Sequence, residues 1–228
     1  MSEFCEIGSD FKGKYKKRAI YSFVDATEKI MQDEGLEKVT IRKISDLAGY
    51  SSATIYSYFD NIDHLILFSS MKFLDEYIKA LPDYIGGAES SLDLLRNMWD
   101  CFCEYSFQRA DVYNAIFFTK LKKNSKNYMQ DYYCVYPIED EGYPEIIQRM
   151  LRASDIYERN YILINQCVEE GYISRKNLDE INEMTIFIYE SILHRVCSGS
   201  LTPREAGEKM RKYLNRILDI EMLNTNVN

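Results

Sequence analysis

The apolar residues near the start of the chain recur at intervals of three and four, which predicts an amphipathic helix over about residues 15–34. Thr40 then stands where it can cap a short second helix over about residues 41–47. Gly49 allows the positive φ of a tight turn, and Ser51 can cap a third helix. Two short helices joined by a glycine-containing turn, with a longer helix before them, predict a helix-turn-helix.

The predicted third helix, which ends near Tyr58, has an unusual outward face. Ile55 and Phe59 are four positions apart and share its buried face. The outward residues have small, hydroxylated or aromatic side chains and no acid: Ser52, Ala53, Thr54, Ser57 and Tyr58. Such a face suits close approach to base edges and phosphates, and Arg42 and Lys43 on the preceding helix add positive charge beside it.

The stretch from Thr40 to Phe59, TIRKISDLAGYSSATIYSYF, resembles the DNA-binding signature of the tetracycline-repressor (TetR) family. The resemblance is close over about residues 17–81 and extends to the rest of the chain only as a helical layout. It implies an all-α fold. An N-terminal three-helix helix-turn-helix DNA-binding domain would span residues 12–62, followed by a helical ligand-binding and dimerisation domain over residues 63–222.

The same resemblance implies a set of DNA-binding residues. Those near base edges are Arg42, Ser52, Thr54 and Ser57, and those at phosphates are Thr40, Tyr50, Tyr56 and Tyr58. For Tyr56 a second interpretation stays open, in which the side chain is half buried in the core. Ala53 stands where the family usually has glycine or proline, and Ile62 stands where it usually has a phosphate-binding lysine. The change at Ile62 lowers affinity for the DNA backbone, which the basic run Lys12–Arg18 can offset.

Beyond the helix-turn-helix, the apolar pattern predicts a fourth helix over about residues 63–80, ended by Pro82, that connects the DNA-binding domain to the body. Another helix is predicted to begin at Ser90 or Ser91 and to include Phe107. Further helices are predicted over residues 111–121, 154–170 and 177–197 and from Pro203, with a polar loop over residues 120–126. The helices over 154–170 and 177–197 resemble the family's dimerisation pair, although two core helices of a monomer show the same pattern. Because a helix-turn-helix that contacts two half-sites needs two-fold symmetry, we predict a homodimer on double-stranded DNA.

The net charge of −8 by itself argues against a nucleic-acid partner, but the charge is unevenly distributed along the chain. Residues 1–62 have a net charge of −1, and the remaining 166 residues carry −7. The apolar runs are too short to span a bilayer and the first residues lack a signal-peptide pattern, so we expect no membrane association and a cytoplasmic location. The six scattered cysteines are accordingly predicted to be reduced thiols.

The sequence has no phosphate-binding glycine loop, no nucleophile elbow and no metal-ligand spacing. We therefore expect no enzyme activity, no cofactor and no bound metal. Most aromatic residues of the body are ordinary core, but a cavity among them suits a small apolar or aromatic effector. The expected ligand-binding residues are Trp99, Phe102, Tyr105, Tyr113, Phe117 and Tyr132. If Asp100 and Glu104 also face inward, a lipophilic cation is favoured.

These features predict a ligand-responsive transcriptional regulator, in the first instance a repressor, that binds a palindromic operator as a dimer. An apolar small molecule in the C-terminal domain would change its DNA affinity. One alternative on the same scaffold is a redox-sensing regulator, for which Cys101 or Cys134 needs a depressed pKa. The nearby acids Asp100, Glu104 and Asp131 raise that pKa instead. The other alternative is a protein-interaction module without DNA binding, and Ile62 is the sign in its favour.

Overall fold

The computed structural model describes residues 4, 5, 7, 11–118, 128–153 and 155–225, and every regular element within them is helical. The α-helices of these residues are α1 (Phe11–Glu34), α2 (Ile41–Ala48), α3 (Ser52–Ile55), α4 (Ile62–Ser70), α5 (Phe73–Ile85), α6 (Ser91–Gln108), α7 (Ala110–Phe118), α8 (Tyr128–Val135), α9 (Glu145–Arg152), α10 (Ile156–Glu169), α11 (Leu178–Cys197) and α12 (Pro203–Thr225). The predicted all-α fold is confirmed. The predicted loop over residues 120–126 lies outside the described residues.

The chain divides into two compact units, the first of which comprises Met1–Asp75 and Phe118–Glu139. Within this unit α1 packs against α2 and α4, because its apolar stripe is fully buried at Ile20, Phe23 and Val24. The helix α8 belongs to the same unit although it is distant in sequence, and it packs against α4. The predicted helix-turn-helix therefore shares its core with a later part of the chain.

A disulfide between Cys5 and Cys134 joins the N-terminal segment to α8, with a Cα–Cα distance of 4.9 Å. The prediction that all six cysteines are reduced thiols is therefore wrong for this pair. The other four cysteines are free. The two cysteines are 129 residues apart, so no local pattern in the sequence predicts that they pair. They come together because α8 belongs to the first unit.

The second unit comprises Glu76–Phe117 and Asp140–Asn228. Within it α6 packs against α10 and α12, while α11 packs against α10 and α12. The two long helices expected over residues 154–170 and 177–197 are confirmed as α10 and α11. Asp155 caps α10 by accepting a hydrogen bond from the Glu158 N–H at 2.9 Å.

The predicted continuous helix over residues 63–80 is wrong, because α4 ends at Ser70 and α5 begins at Phe73. Buried apolar residues continue across the break between α4 and α5. The spacing of apolar residues in the sequence therefore gives no sign that the helix is interrupted. Pro82 lies inside α5 rather than ending it. Proline lacks the N–H that would pair with the Ile78 carbonyl, and the Tyr143 hydroxyl donates to that carbonyl at 2.7 Å instead.

Candidate functional site

Two side-chain caps and one glycine shape the helix-turn-helix. Thr40 Oγ1 accepts a hydrogen bond from the Lys43 N–H at 3.3 Å and begins α2. Gly49 ends α2 with a φ of 74°, where a larger side chain is strained. Ser51 Oγ accepts from the Thr54 N–H at 3.3 Å and begins α3. These local predictions are confirmed, although α3 is a single turn that ends at Ile55.

The helices α2 and α3 are held together by apolar and hydroxyl contacts. Ile44 and Ile55 are fully buried, and Phe59 is nearly so. The hydroxyls of Ser45 and Ser52 lie 3.0 Å apart and connect the two helices directly. The predicted buried face of the third helix is confirmed at Ile55 and Phe59.

All eight predicted DNA-binding residues lie on or beside α2 and α3, and we call them the recognition surface. The exposed members are Thr40, Arg42, Ser52, Tyr56 and Ser57, and the half-buried members are Tyr50, Thr54 and Tyr58. Tyr56 is 56% exposed, so it is not part of the core. No acidic residue occurs between Gly49 and Phe59.

Two tyrosines of the recognition surface are anchored to α1. The ring centroids of Tyr50 and Tyr58 lie 5.1 and 6.1 Å from that of Phe23. Burial, with smaller contributions from Tyr15 and Tyr50, raises the pKa of Tyr58 above its usual value. Its hydroxyl therefore stays protonated at neutral pH and can donate a hydrogen bond to a phosphate oxygen.

Positive charge lies on the recognition surface and on α1. The Arg42 side chain is 92% exposed, and its Nε lies 3.9 Å from Asp46, a surface pair that holds the guanidinium only weakly. On α1, the exposed members of the basic run include Lys14, Lys16 and Arg18. These side chains are available to phosphates.

Ile62 is the first residue of α4, and it is half-buried. Asn61 caps this helix by accepting a hydrogen bond from the His64 N–H at 2.8 Å. The helix therefore begins normally, but an aliphatic side chain stands where the family pattern has a phosphate-binding lysine.

The second unit contains an apolar cavity bounded by α5, α6, α9 and α10. Its lining residues are Tyr77, Met98, Trp99, Phe102, Met150, Ile156, Arg159, Asn160 and Leu163. The cavity has a volume of about 30 Å³ in this structure. Binding sites for small molecules commonly hold ~300–1,000 Å³. A ligand must therefore displace side chains to occupy it.

Buried polar side chains connect this cavity to α11. The indole N–H of Trp99 donates to Asn160 Oδ1 at 2.9 Å, and Asn160 Nδ2 donates to Asn182 Oδ1 at 2.9 Å. Arg159 is also buried, and it donates to the carbonyl oxygens of Ala153 and Leu151. Sequence reasoning missed Arg159 and Asn160. A signal for them was present in the sequence. Both are polar residues that lie between the apolar residues Ile156 and Leu163 of α10.

The residues expected to bind a ligand do not all meet at the cavity. Trp99 and Phe102 line it. Tyr113 and Phe117 are buried next to the cavity wall, with ring centroids 5.6 and 5.7 Å from Phe102. Tyr105 is half-buried and is not a lining residue.

Tyr132 is placed elsewhere, in the first unit, where its ring centroid lies 5.3 Å from that of Phe68. Its position on α8 could not be inferred from the sequence, because the pattern does not show that α8 belongs to the first unit.

Asp100 and Glu104 do not support a cationic ligand. Asp100 Oδ1 accepts a hydrogen bond from Arg211 Nε at 2.8 Å. Glu104 is exposed and accepts from the Tyr84 hydroxyl at 2.6 Å, which raises the pKa of Tyr84. Neither carboxylate lines the cavity, so the condition for favouring a lipophilic cation is not met.

Cys101 is unsuited to act as a reactive thiol. Burial, with Glu104 and Asp83 adding to it, raises the pKa of Cys101 to about 12. A redox-active or nucleophilic cysteine needs a thiolate near neutral pH. Sensing through Cys101 is therefore disfavoured.

Within the described residues, no group of three or more His, Cys, Asp or Glu side chains is placed to hold a metal ion. No helix in the described part of the chain is both long and apolar enough to cross a membrane.

The capped helices α2 and α3, with the Gly49 turn between them, form a helix-turn-helix. Residues 23–67 match the family model described as bacterial regulatory proteins, tetR family. Among curated protein sequences, none matches this chain. The helix-turn-helix lies within this matched segment, which is therefore similar to tetR-family bacterial regulatory proteins.

Similar solved structures extend over both units. FadR from Thermus thermophilus, a TetR-family transcriptional repressor solved in complex with lauroyl-CoA, has 13% identity over 87% of this chain and 92% of that chain, with a TM-score of 0.58. A TetR transcription regulator from Haloarcula marismortui has 16% identity over 89% of this chain and 97% of that chain, with a TM-score of 0.58. A TetR-like regulator from Rhodococcus sp. RHA1 has 14% identity over 88% and 96% of the two chains, with a TM-score of 0.51. These similarities show the fold.

Proposed function

We propose that this chain is a TetR-family transcriptional regulator, a ligand-responsive repressor that binds a palindromic operator as a homodimer. The observation that carries the proposal is the recognition surface, whose hydroxyl, aromatic and arginine side chains are presented by two capped helices with no acid between Gly49 and Phe59. Such side chains donate hydrogen bonds to base edges and phosphates. In this proposal the DNA-binding domain spans residues 12–62 and the ligand-binding and dimerisation domain spans residues 63–222.

Within the recognition surface, we assign two roles. The base-edge residues are Arg42, Ser52, Thr54 and Ser57, and the phosphate residues are Thr40, Tyr50, Tyr56 and Tyr58. Arg42 is the long, exposed donor, and a guanidinium pairs well with the two acceptors on a guanine edge. Lysines and arginines of the basic run on α1 compensate for Ile62 by adding phosphate contacts.

Exposed apolar residues on α10 and α11 support the homodimer. Tyr157 and Tyr161 are one turn apart on α10, and Met184 and Phe187 are three positions apart on α11. All four side chains are exposed, although α10 and α11 pack against each other. When two copies meet about a two-fold axis, such a helix pair buries these residues in a four-helix interface.

The proposed effector is a small, largely apolar molecule that enters the cavity beside Trp99 and Phe102. Besides the rings of Tyr77 and Trp99, the lining contains the polar side chains of Arg159 and Asn160, and no carboxylate lines the cavity. This composition favours a neutral or anionic polar end over a cation. The complex of Thermus thermophilus FadR with lauroyl-CoA is consistent with an acyl ligand.

Because the cavity is small in this structure, the effector selects an expanded conformation of the second unit. A ligand shifts DNA affinity only through its unequal affinity for two conformations. Coupling of this kind typically changes the operator Kd by ~5–150-fold.

The DNA-binding part is tested with an operator selected from a random pool of DNA duplexes and with fluorescence anisotropy over a salt series. Phosphate contacts predict that log K falls linearly with log salt concentration. Arg42→Ala should cost ~1–3 kcal/mol and relax base preference at one position, whereas Tyr56→Ala should weaken binding to all sequences.

Two exposed residues of α12 provide matched controls. Arg204 has an 89% exposed side chain and pairs with Glu208 four residues later, as Arg42 does with Asp46. Tyr213 is an exposed tyrosine. Alanine at either position should leave DNA affinity unchanged. Wild-type affinity in both Arg42→Ala and Tyr56→Ala contradicts the proposed recognition surface.

The ligand-responsive part is tested by a thermal-shift screen of acyl anions, neutral aromatics and lipophilic cations, followed by DNA-release assays on the hits. Phe102→Ala should remove stabilisation by a hit. Phe107→Ala is the control, because Phe107 is buried on the same helix but does not line the cavity. If hits bind and DNA affinity does not change, the ligand response is wrong while DNA binding stands.

A further inference from the structure

The Cys5–Cys134 disulfide has no role in the proposed function, yet it lies in the unit that contains the recognition surface. The inference below rests on the proposed binding of DNA by that surface. It joins the N-terminal segment to α8, which lies 129 residues further along the chain. The chain leaves the first unit after Asp75, returns to it at Phe118 and leaves it again after Glu139. The disulfide is therefore a covalent connection between the two separate stretches of this unit.

On the N-terminal side, the bond holds an aromatic residue against the end of the helix-turn-helix. Phe4 precedes Cys5 and is buried. Its ring stacks on Phe68 of α4 with a centroid distance of 5.1 Å and lies 5.8 Å from Phe59. Phe59 follows the recognition surface directly, and its own ring contacts Phe68 at 5.5 Å.

On the other side, α8 contacts the same phenylalanine. The ring centroids of Tyr132 and Tyr136 lie 5.3 and 6.4 Å from that of Phe68. Tyr21 of α1 packs on Tyr136 at 5.1 Å, and its hydroxyl donates to the Val135 carbonyl at 3.3 Å. Both ends of the disulfide are thus attached to one aromatic cluster around Phe68.

The disulfide is more accessible than most of the free thiols. Cys5 and Cys134 are half-buried, whereas Cys101, Cys103 and Cys167 are buried. Because neither residue is fully buried, the proposal takes the bond to be open to a small thiol or disulfide. Accessible disulfides are more readily exchanged than buried structural ones.

We propose that Cys5 and Cys134 form a reversible thiol–disulfide site that couples DNA affinity to redox state. The oxidant is a low-molecular-weight disulfide. One cysteine thiolate attacks it and releases one small thiol, and the second cysteine then displaces the other small thiol as the protein disulfide forms. The two protein thiols lose two electrons and two protons, and the small disulfide gains them as two thiols. Reduction is the reverse exchange.

The expected direction follows from the aromatic cluster. In the oxidised protein the bond keeps Phe4 and α8 on the residues that support Phe59. In the reduced protein only non-covalent contacts hold Phe4 there, so Phe59 is supported less firmly. Because α3 is a single turn followed by Phe59, we expect the recognition surface to be less ordered and to bind DNA more weakly.

The test compares the full chain in oxidised and reduced glutathione, with alkylation and mass spectrometry to measure the disulfide. Affinity for the selected operator is measured by anisotropy in each buffer. Reduction should weaken operator binding by about fivefold or more. Cys5→Ser and Cys134→Ser should show the weaker affinity in both buffers, and Cys197→Ser should respond as the wild type does.

Phe4→Ala separates the bond from the contact that it maintains. This variant can form the disulfide, and it should bind DNA more weakly even when oxidised. Circular dichroism establishes that each variant is folded, and the wild-type redox comparison is decisive if a serine variant does not fold. The proposal is overturned if oxidised glutathione does not form the bond, if reduction leaves operator affinity equal or tighter, or if Cys5→Ser retains the response.

Discussion

Phe187 offers the sharpest test of the proposed dimer. Its side chain is 53% exposed on α11, so about half of its surface is available for burial by a partner. Burying a whole phenylalanine side chain is worth ~1.5–3 kcal/mol, so each copy contributes about 1 kcal/mol to association. A two-fold interface contains the residue twice, which gives about 2 kcal/mol for the dimer.

Phe187→Glu removes this contribution and places two carboxylates in the interface. The loss of apolar burial alone weakens dimerisation by roughly 30-fold, and the buried charges weaken it further. Folding should be retained, because the side chain is exposed in the single chain. Sedimentation velocity over micromolar concentrations measures the monomer–dimer equilibrium, and circular dichroism checks the fold.

Ile220→Glu is the matched control, since Ile220 is 46% exposed on α12 and lies outside the proposed helix pair. It should leave the dimer intact. Ile192 is a poor choice for the test, because it is buried within its own chain and a charge there damages the core. The reasoning is refuted if Phe187→Glu dimerises as tightly as the wild type, or if the wild type is monomeric at these concentrations.

Three further predictions concern stability and reactivity. Thr40→Ala removes the cap of α2 and should lower the free energy of unfolding by about 1 kcal/mol in a denaturant titration. A hydrogen bond from the Ser91 N–H lowers the pKa of Glu170 in the folded protein. The ionised carboxylate therefore stabilises the fold at any pH above the pKa that Glu170 has in the unfolded chain. This stabilisation is lost as the pH falls through the lower pKa of the folded protein. The stability deficit of Glu170→Gln should accordingly shrink towards acid pH, and a constant deficit would contradict this. In the oxidised protein, iodoacetamide and mass spectrometry should show modification of the exposed Cys197 and protection of the buried Cys101.

The helix-turn-helix could be predicted almost residue by residue, because its signals act over short distances. The Thr40 and Ser51 hydroxyls each accept from an N–H three residues later, and Gly49 adopts a positive φ within its own turn. The four-residue spacing of Ile55 and Phe59 was likewise enough to predict their burial. Such features depend on neighbouring atoms in the chain and need no knowledge of the remaining fold.

The candidate effector site was predicted only in part. Trp99 and Phe102 share one face of α6 and both line the cavity. Tyr132 was assigned to the same site on aromatic content, but α8 lies in the other unit. Arg159 lies on a different helix, and no period within α6 points to it. The composition predicted that the part of the chain after the helix-turn-helix is rich in aromatic residues. It could not show which of these rings line the same cavity.

The sequence alone therefore determined the helix type and the caps of the helix-turn-helix, since each depends on residues within about one helical turn. Tertiary structure decided which distant groups meet. The Cys5–Cys134 bond spans 129 residues, and the Trp99–Asn160 hydrogen bond spans 61. The break between α4 and α5 was also hidden, because burial of apolar residues continues across it. Pairings of this kind depend on how helices pack, and helical periodicity specifies the buried face of each helix without specifying the partner it packs against.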